Sequence, residues 1–161
     1  MSSESPTGNP PDARGRPDRP VGSKTDSRAG SPQIAREGTV VIAEDHDDAR
    51  EMLAMSLTVH GYTVFAARNS EEAFALVEAH RPKAVIADIQ MPGVDGFELA
   101  AKIRATQPAS IRLIALSGLP PRKAWSRAME CGFDYYLVKP VSADDLVAYI
   151  EGPLFPRDDE V

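Results

Sequence analysis

The chain has 161 residues, of which 42% are hydrophobic and 26% charged, and its formal net charge is -6. This length is enough for one domain with a hydrophobic core, and the acidic balance argues against a general nucleic-acid binder, which would present a basic face. No apolar run is long enough to cross a bilayer, and the amino terminus lacks a signal-peptide pattern, so we expect a cytoplasmic protein that neither inserts into membranes nor binds nucleic acid directly.

Composition divides the chain into three parts. Residues 1–37 are rich in Pro, Gly, Ser and Arg and poor in large apolar side chains. Such a segment buries too little surface to offset its ordering entropy, so we predict a disordered tail. Residues 38–152 form the predicted folded domain, and residues 153–161 a short carboxyl-terminal tail. The single cysteine, Cys131, excludes an internal disulfide and favours a reducing compartment.

Short β-branched or apolar runs predict five strands. The predicted strands are residues 39–43, 62–66, 84–88, 111–117 and 134–138. The third is an unbroken apolar run that ends in Asp88 and is followed by a Pro/Gly turn. A run of this kind is typical of a strand buried on both faces.

Amphipathic segments after these strands predict five helices. The pairs Asp48/Glu51 and Asn69/Glu72 have capping-box spacing at the starts of the first two helices. The third helix is predicted to open at Asp95, the fourth follows Pro120 and Pro121, and Ser142 caps the fifth. The core-facing side of the first helix is predicted to be Ala49, Met52, Leu53 and Leu57, and Trp125 and Cys131 are expected to pack inside. Five strands alternating with five helices predict an α/β fold, a parallel sheet with helices on both faces.

Reactive residues stand at the ends of four predicted strands. They are Glu44 and Asp45, Asp88, Ser117 and Lys139. All carboxyl ends of a parallel sheet lie at one edge, so these side chains can meet in one cleft. Carboxylates placed together repel each other and require a cation. Lys139 is one candidate, and a set of oxygen ligands without supporting His or Cys favours Mg²⁺ as another.

This set is suited to phosphoryl transfer, in which catalysis consists mostly of positioning and charge neutralisation. We interpret Asp88 as the nucleophile, with Lys139 and Ser117 binding phosphoryl oxygens. Simpler interpretations stay open: the acidic residues after the first strand stabilise a helix amino terminus, Ser117 is a turn serine, and Tyr136 is a core residue. His46 is expected to be solvated and is given no metal role.

Four segments together carry a resemblance to a known family. They are Val41–Asp45, Ala87–Gly96, Ala115–Gly118 and Tyr135–Pro140. With these segments in order, each at the end of a strand, residues 39–151 resemble the receiver domain of a two-component response regulator, and the chain looks like a stand-alone, chemotaxis-regulator-like member. The resemblance implies a flavodoxin-like doubly wound sheet with strand order 2-1-3-4-5.

The resemblance also implies site roles. Asp88 would receive a phosphoryl group from a sensor histidine kinase or a histidine phosphotransfer protein. Mg²⁺ would be held by Glu44, Asp45, Asp88 and the backbone carbonyl of Gln90. Ser117 and Tyr136 would form the switch, and the Lys139–Pro140 peptide would be cis. Such a protein is not an enzyme on other substrates: it catalyses only its own Mg-dependent phosphorylation and dephosphorylation. It signals in trans through the face of helix 4, strand 5 and helix 5, or relays the phosphate.

Three alternative functions compete with this interpretation. A receiver-fold protein-binding module without phosphorylation would not need the intact acidic set. A hydrolase with an aspartyl-phosphate intermediate, of the dehalogenase-like kind, needs a second acid where this chain has Gln90. A flavodoxin-like cofactor binder needs a phosphate-cradling loop after the first strand, which the sequence lacks.

Overall fold

The central strand β3, Ala84–Asp88, is buried along its whole length. The structure, a computed structural model, describes residues 38–153, apart from the side chains of residues 121 and 123. The predicted tail of residues 1–37 and residues 154–161 lie outside the described residues. The other strands are β1 (Thr39–Ala43), β2 (Thr63–Ala67), β4 (Arg112–Ser117) and β5 (Tyr135–Val138).

All five strands are parallel and lie in the order β2-β1-β3-β4-β5, which confirms the predicted flavodoxin-like topology. The helices between and after them are α1 (Asp47–Val59), α2 (Ser70–His80), α3 (Gly96–Thr106), α4 (Pro121–Cys131) and α5 (Ala143–Glu151). None of these five helices, within the described part of the chain, has the length and apolarity needed to cross a bilayer.

Successive strand residues point to opposite faces of the sheet and pack in two hydrophobic cores, one on each face. Val41, Val85 and Leu113 pack with α2, α3 and α4 on one face. Val40, Ile42 and Ile86 are among the strand residues that pack with α1 and α5 on the other face. The prediction of helices on both faces is therefore confirmed.

Side-chain caps form at three of the predicted helix starts. The side chains of Asn69, Asp95 and Ser142 accept hydrogen bonds from the backbone N–H three residues later, at 2.8, 3.0 and 3.1 Å. The cap predicted for α1 is wrong, since that helix begins two residues earlier than Asp48 as N-cap would require, with His46 at the N-cap position and without a side-chain cap bond. Asp48 instead lies in the first turn, where its negative charge interacts favourably with the helix dipole.

The apolar face predicted for α1 is wrong in part. Leu57 is fully buried and Leu53 packs beside it, but Met52 is 70% exposed and Ala49 is also exposed. Residues four apart lie on one side of a helix, so Leu53 and Leu57 together turn Met52 away from the sheet.

Trp125 is exposed rather than packed inside, which contradicts the sequence-based expectation. The buried residues of α4 include the small side chains of Ala124 and Ala128. These two alanines let the helix approach the sheet closely, and residue 125 then points outward. Cys131 is partly buried against the core, as expected.

Gly96 allows α3 to approach the end of β3. A Cβ at this position would lie 2.8 Å from the carbonyl oxygen of Asp88 and 2.8 Å from the Cα of Ile89, so the backbone itself would have to shift. We therefore expect Gly96→Ala to lower the free energy of unfolding by about 1–3 kcal/mol, the usual cost of overpacking. Chemical denaturation measures the loss.

Gly118→Ala is the matched control for this prediction, because a Cβ there meets only Gln90 Oε1, at 3.7 Å. Its free energy of unfolding should stay close to that of the parent chain. Equal stability of the Gly96 and Gly118 variants would contradict the proposed close approach.

Candidate functional site

The carboxyl ends of β1, β3, β4 and β5 meet at one edge of the sheet. Ala87 pairs with Ala43, and Asp88 pairs with Leu116, so the residues that follow these strands lie side by side. The ladder continues past the strand ends, since the Lys139 N–H donates to the Ser117 carbonyl at 2.8 Å. The cis Lys139–Pro140 peptide follows, as expected.

Lys139 joins two of the predicted acidic residues. Its Nζ lies 2.8 Å from Asp88 Oδ2 and 3.1 Å from Glu44 Oε1. Both carboxylate side chains are at most 5% exposed, whereas the lysine is 35% exposed. The lysine therefore enters the pocket from the solvent side and compensates two buried negative charges that lie 44 residues apart in the sequence.

The two carboxylates respond differently to the same lysine. Burial raises the pKa of Asp88 above its ordinary value, and the hydrogen bonds from Lys139 and from the Gln90 N–H oppose this only in part. Burial acts on Glu44 in the same direction, but the His46 N–H and Lys139 together lower the pKa of Glu44 below its ordinary value. Glu44 thus keeps its charge more readily, and Asp88 has the less stabilised carboxylate.

Lys139 itself is held in its charged form. Burial would lower the pKa of this amine, but the hydrogen bonds to Asp88 and Glu44 raise it above the ordinary value. The pocket therefore contains a fixed positive charge directly beside the candidate nucleophile.

Asp45 completes the acidic group and adds to its need for a cation. Its Oδ1 is buried and has no hydrogen-bond partner among the described residues. A buried carboxylate oxygen without a donor is costly, and a bound cation is one way to satisfy it. Oxygen donors of Glu44, Asp45 and Asp88 lie within 4.8 Å of one another, which fits a hard divalent ion such as Mg²⁺.

His46 lies closer to this pocket than the sequence suggested. Its side chain is 74% exposed, as expected, but its Nδ1 lies 3.2 Å from Glu44 Oε2. The hydrogen bond with Glu44 raises the pKa of His46 above its ordinary value. The signal in the sequence was a histidine directly after two acids at a strand end, which is too common at helix starts to identify a site alone.

Gln90 lies at the rim between β3 and β4. Its backbone N–H donates to Asp88 Oδ1 at 2.8 Å and orients that carboxylate. Its side-chain Oε1 accepts from the Gly118 N–H at 3.4 Å. The role of its carbonyl as a metal ligand stays a prediction.

Ser117 and Tyr136 meet at Leu119 rather than at Asp88. The buried Ser117 Oγ accepts from the Leu119 N–H at 2.9 Å, and the Tyr136 hydroxyl donates to the Leu119 carbonyl at 3.0 Å. The two predicted switch residues therefore hold opposite sides of the same residue in the loop before α4. A rotation of the Ser117 side chain toward Asp88 would release one of these bonds.

The chain is similar to known proteins of one family. Residues 40–151 match the family model of the response regulator receiver domain. The chain is 37% identical over 132 residues to the transcriptional regulatory protein PdtaR of Mycobacterium tuberculosis, covering 81% of this chain and 61% of that protein. It is 32% identical over 120 residues to an uncharacterised 14.6 kDa protein of Leptolyngbya boryana, covering 74% of this chain and 92% of that protein.

A solved structure shows the same fold. It is a response regulator protein from Burkholderia pseudomallei with a phosphorylated aspartic acid, a calcium ion and citrate, and it is 26% identical with a TM-score of 0.67. The match covers 71% of this chain and 67% of that one. With a family match over most of its length and the predicted sheet order, this chain belongs to the response regulator receiver domain family of two-component systems.

Proposed function

We propose that Asp88 accepts a phosphoryl group from a histidine of a sensor kinase or of a histidine phosphotransfer protein. The observation that carries this proposal is the position of Lys139 Nζ, 2.8 Å from Asp88 Oδ2 and 3.1 Å from Glu44 Oε1. A nucleophilic carboxylate, a fixed cation and an acidic metal-binding group thereby share one pocket.

The transfer is a displacement at phosphorus. A carboxylate oxygen of Asp88 forms the new O–P bond while the N–P bond of the donor phosphohistidine breaks, and the leaving imidazole nitrogen keeps the electron pair and takes up a proton from solvent. Lys139 binds one phosphoryl oxygen, and the Ser117 hydroxyl donates to another. Mg²⁺, held by Glu44, Asp45, Asp88 and the Gln90 carbonyl, would neutralise charge on the phosphoryl oxygens.

The pKa shifts of the two carboxylates favour Glu44 as the metal ligand and Asp88 as the acceptor of the phosphoryl group. Glu44 receives several hydrogen bonds to its charged form, so it is suited to holding a cation. Burial disfavours the charged form of Asp88, and when an acyl phosphate forms, the negative charge moves outward onto the phosphoryl oxygens. The phosphorylated aspartic acid and calcium ion of the Burkholderia pseudomallei protein support the same assignment.

The proposal is tested by incubating the purified chain with a small acyl-phosphate donor, with either Mg²⁺ or a chelator. We expect a mass increase of one phosphoryl group in Mg²⁺, removed by hydroxylamine, and no increase in the chelator. Equal uptake in both conditions would contradict a metal-assisted transfer, and no uptake in either would contradict the assignment of function.

We further propose that residues 38–152 are the folded signalling unit, that it works in the cytoplasm, and that its only catalysis is its own phosphorylation and dephosphorylation. The output acts in trans, or the phosphate is relayed, through the face of α4, β5 and α5. This face carries exposed apolar side chains beside the switch residues, namely Leu119, Trp125 and Val138.

Trp125 offers a direct measurement of the switch. It is the single tryptophan of the chain, and it lies exposed on α4, after the loop that contains Leu119. We expect its emission to shift on phosphorylation, because Ser117 then leaves Leu119 for the phosphoryl group. Ser117→Ala should still take up phosphate but lose this shift.

Ser56→Ala is the matched control, since Ser56 lies on α1 and its change should leave both phosphorylation and the emission shift intact. An unaltered emission shift in Ser117→Ala would contradict the switch role of the hydroxyl.

A further inference from the structure

The imidazole of His46 is directed at the acidic pocket although most of the ring is solvated. Its Nδ1 lies 3.2 Å from Glu44 Oε2 and 3.4 Å from Asp45 Oδ1. One ligand atom each from Glu44, Asp45, His46 and Asp88 fits within 4.8 Å of the others. The ring makes no capping bond to α1, so its orientation serves the pocket rather than the helix.

Without a metal, the first of these distances is a hydrogen bond, and Nδ1 must give up its proton to bind an ion. For the deprotonated ring, the same distances agree with coordination geometry. Ligands at about 2.1 Å from an octahedral ion lie about 3.0 Å apart when adjacent and about 4.2 Å apart when opposite. The separations of Nδ1 from Glu44 and Asp45 are close to those of adjacent ligands. An ion between His46 and Asp45 would also satisfy Asp45 Oδ1, which is buried and without a hydrogen-bond partner among the described residues.

A nitrogen ligand changes which ion the pocket prefers. Mg²⁺ binds oxygen and keeps several waters, whereas imidazole suits first-row transition ions, whose affinity rises from Mn²⁺ through Co²⁺ to Ni²⁺. We propose that His46 Nδ1 is a metal ligand and that this pocket binds divalent first-row transition ions more tightly than Mg²⁺. This inference rests on the proposed function, because it concerns the same pocket.

The exposure of His46 suits this role. The carboxylates of Glu44 and Asp88 lie deep in the pocket, and the largely exposed ring of His46 stands at its rim, where an ion can reach it from solvent. The ring therefore adds affinity for ions that accept nitrogen and leaves the oxygen ligands in place for Mg²⁺.

The test is calorimetric titration of the full chain with Co²⁺ and with Mg²⁺. Only the Co²⁺ binding that disappears in excess Mg²⁺ is counted, because that part occurs at the site that both ions share. In the parent chain we expect Co²⁺ to bind at least about tenfold more tightly than Mg²⁺. His46→Ala should lower Co²⁺ affinity by about tenfold or more and change Mg²⁺ affinity by less than about twofold. Bound Co²⁺ should also show a shifted visible absorption band in the variant.

Two further variants distinguish failure of the His46 inference from failure of the metal site itself. His80→Ala removes an exposed histidine that stacks on Phe65 at 3.8 Å, away from the strand ends, and should change neither affinity. Asp45→Asn should weaken both ions. Unchanged Co²⁺ affinity in His46→Ala, or an equal loss for both ions, would overturn the inference. If Asp45→Asn left Mg²⁺ binding intact, the metal site of the proposed function would fail instead.

Discussion

Asp88→Asn is expected to abolish phosphoryl uptake from a small donor. The amide retains the shape of the side chain but has no nucleophilic carboxylate oxygen, so the O–P bond cannot form. The loss should not come from unfolding. Burial raises the pKa of Asp88, which means that the folded pocket disfavours its charge, and the neutral amide removes that cost.

The measurement combines intact-protein mass after reaction with the donor and a denaturation curve of the same sample. Asp48→Asn is the control, because Asp48 is exposed in the first turn of α1 and should label like the parent chain. Labelling of the Asp88 variant at the parental rate would contradict the assignment, and a lower free energy of unfolding in that variant would contradict the account of its buried charge.

Lys139→Met is expected to destabilise the metal-free protein at neutral pH. Methionine retains the apolar stem but leaves Glu44 and Asp88 buried without their shared cation. Removing one partner of a buried ion pair costs about 3–5 kcal/mol, and because Lys139 is 35% exposed we expect about 2 kcal/mol here. Mg²⁺ should reduce the loss, since it neutralises the same carboxylates.

The pH dependence has a definite sign. The raised pKa of Lys139 means that its contribution is present below the ordinary value of 10.5 and is lost as pH rises through the folded-state pKa. The lowered pKa of Glu44 means that its contribution is present above 4.5 and is lost as pH falls through the folded-state pKa. The difference in the free energy of unfolding between the parent chain and Lys139→Met should therefore be largest between pH 4.5 and pH 10.5 and should become smaller in acid.

Denaturation of both proteins at about pH 7 and about pH 4, with and without Mg²⁺, measures this effect. Lys83→Met is the matched control: Lys83 is also 35% exposed and lies 3.0 Å from Glu151, but it precedes β3 at the opposite edge of the sheet. Its loss should stay below about 1 kcal/mol and should not respond to Mg²⁺. A Lys139 variant that behaved like the Lys83 variant would contradict the paired-charge account.

Strands with continuous apolar runs were the best predicted from sequence. β1 and β3 have the predicted bounds, because each run is closed by charged or turn-forming residues. β2 and β4 begin one residue late, since the Tyr62 N–H bonds to the Leu57 carbonyl at the end of α1 and the Ile111 N–H bonds to the Pro108 carbonyl in a turn. Turn bonds of this kind depend on how the chain closes and leave no distinct local pattern.

The meeting of Glu44, Asp88 and Lys139 could also be predicted, because parallel topology forces the strand ends to one edge. The directions in which individual side chains point could not be predicted from the sequence. Trp125 points outward because two alanines bring α4 against the sheet, and His46 turns toward the acids because α1 begins two residues earlier than its capping signal suggested. Both depend on the packing of whole elements rather than on local spacing.

Locating the phosphoryl group on the chain tests directly whether Asp88 is the acceptor. Borohydride reduction of the donor-treated protein converts an aspartyl phosphate to homoserine, and tandem mass spectrometry of the peptides identifies the position. We expect homoserine at residue 88, and only in samples that contained the metal. Homoserine at another aspartate, or phosphate on Ser117 instead, would contradict it.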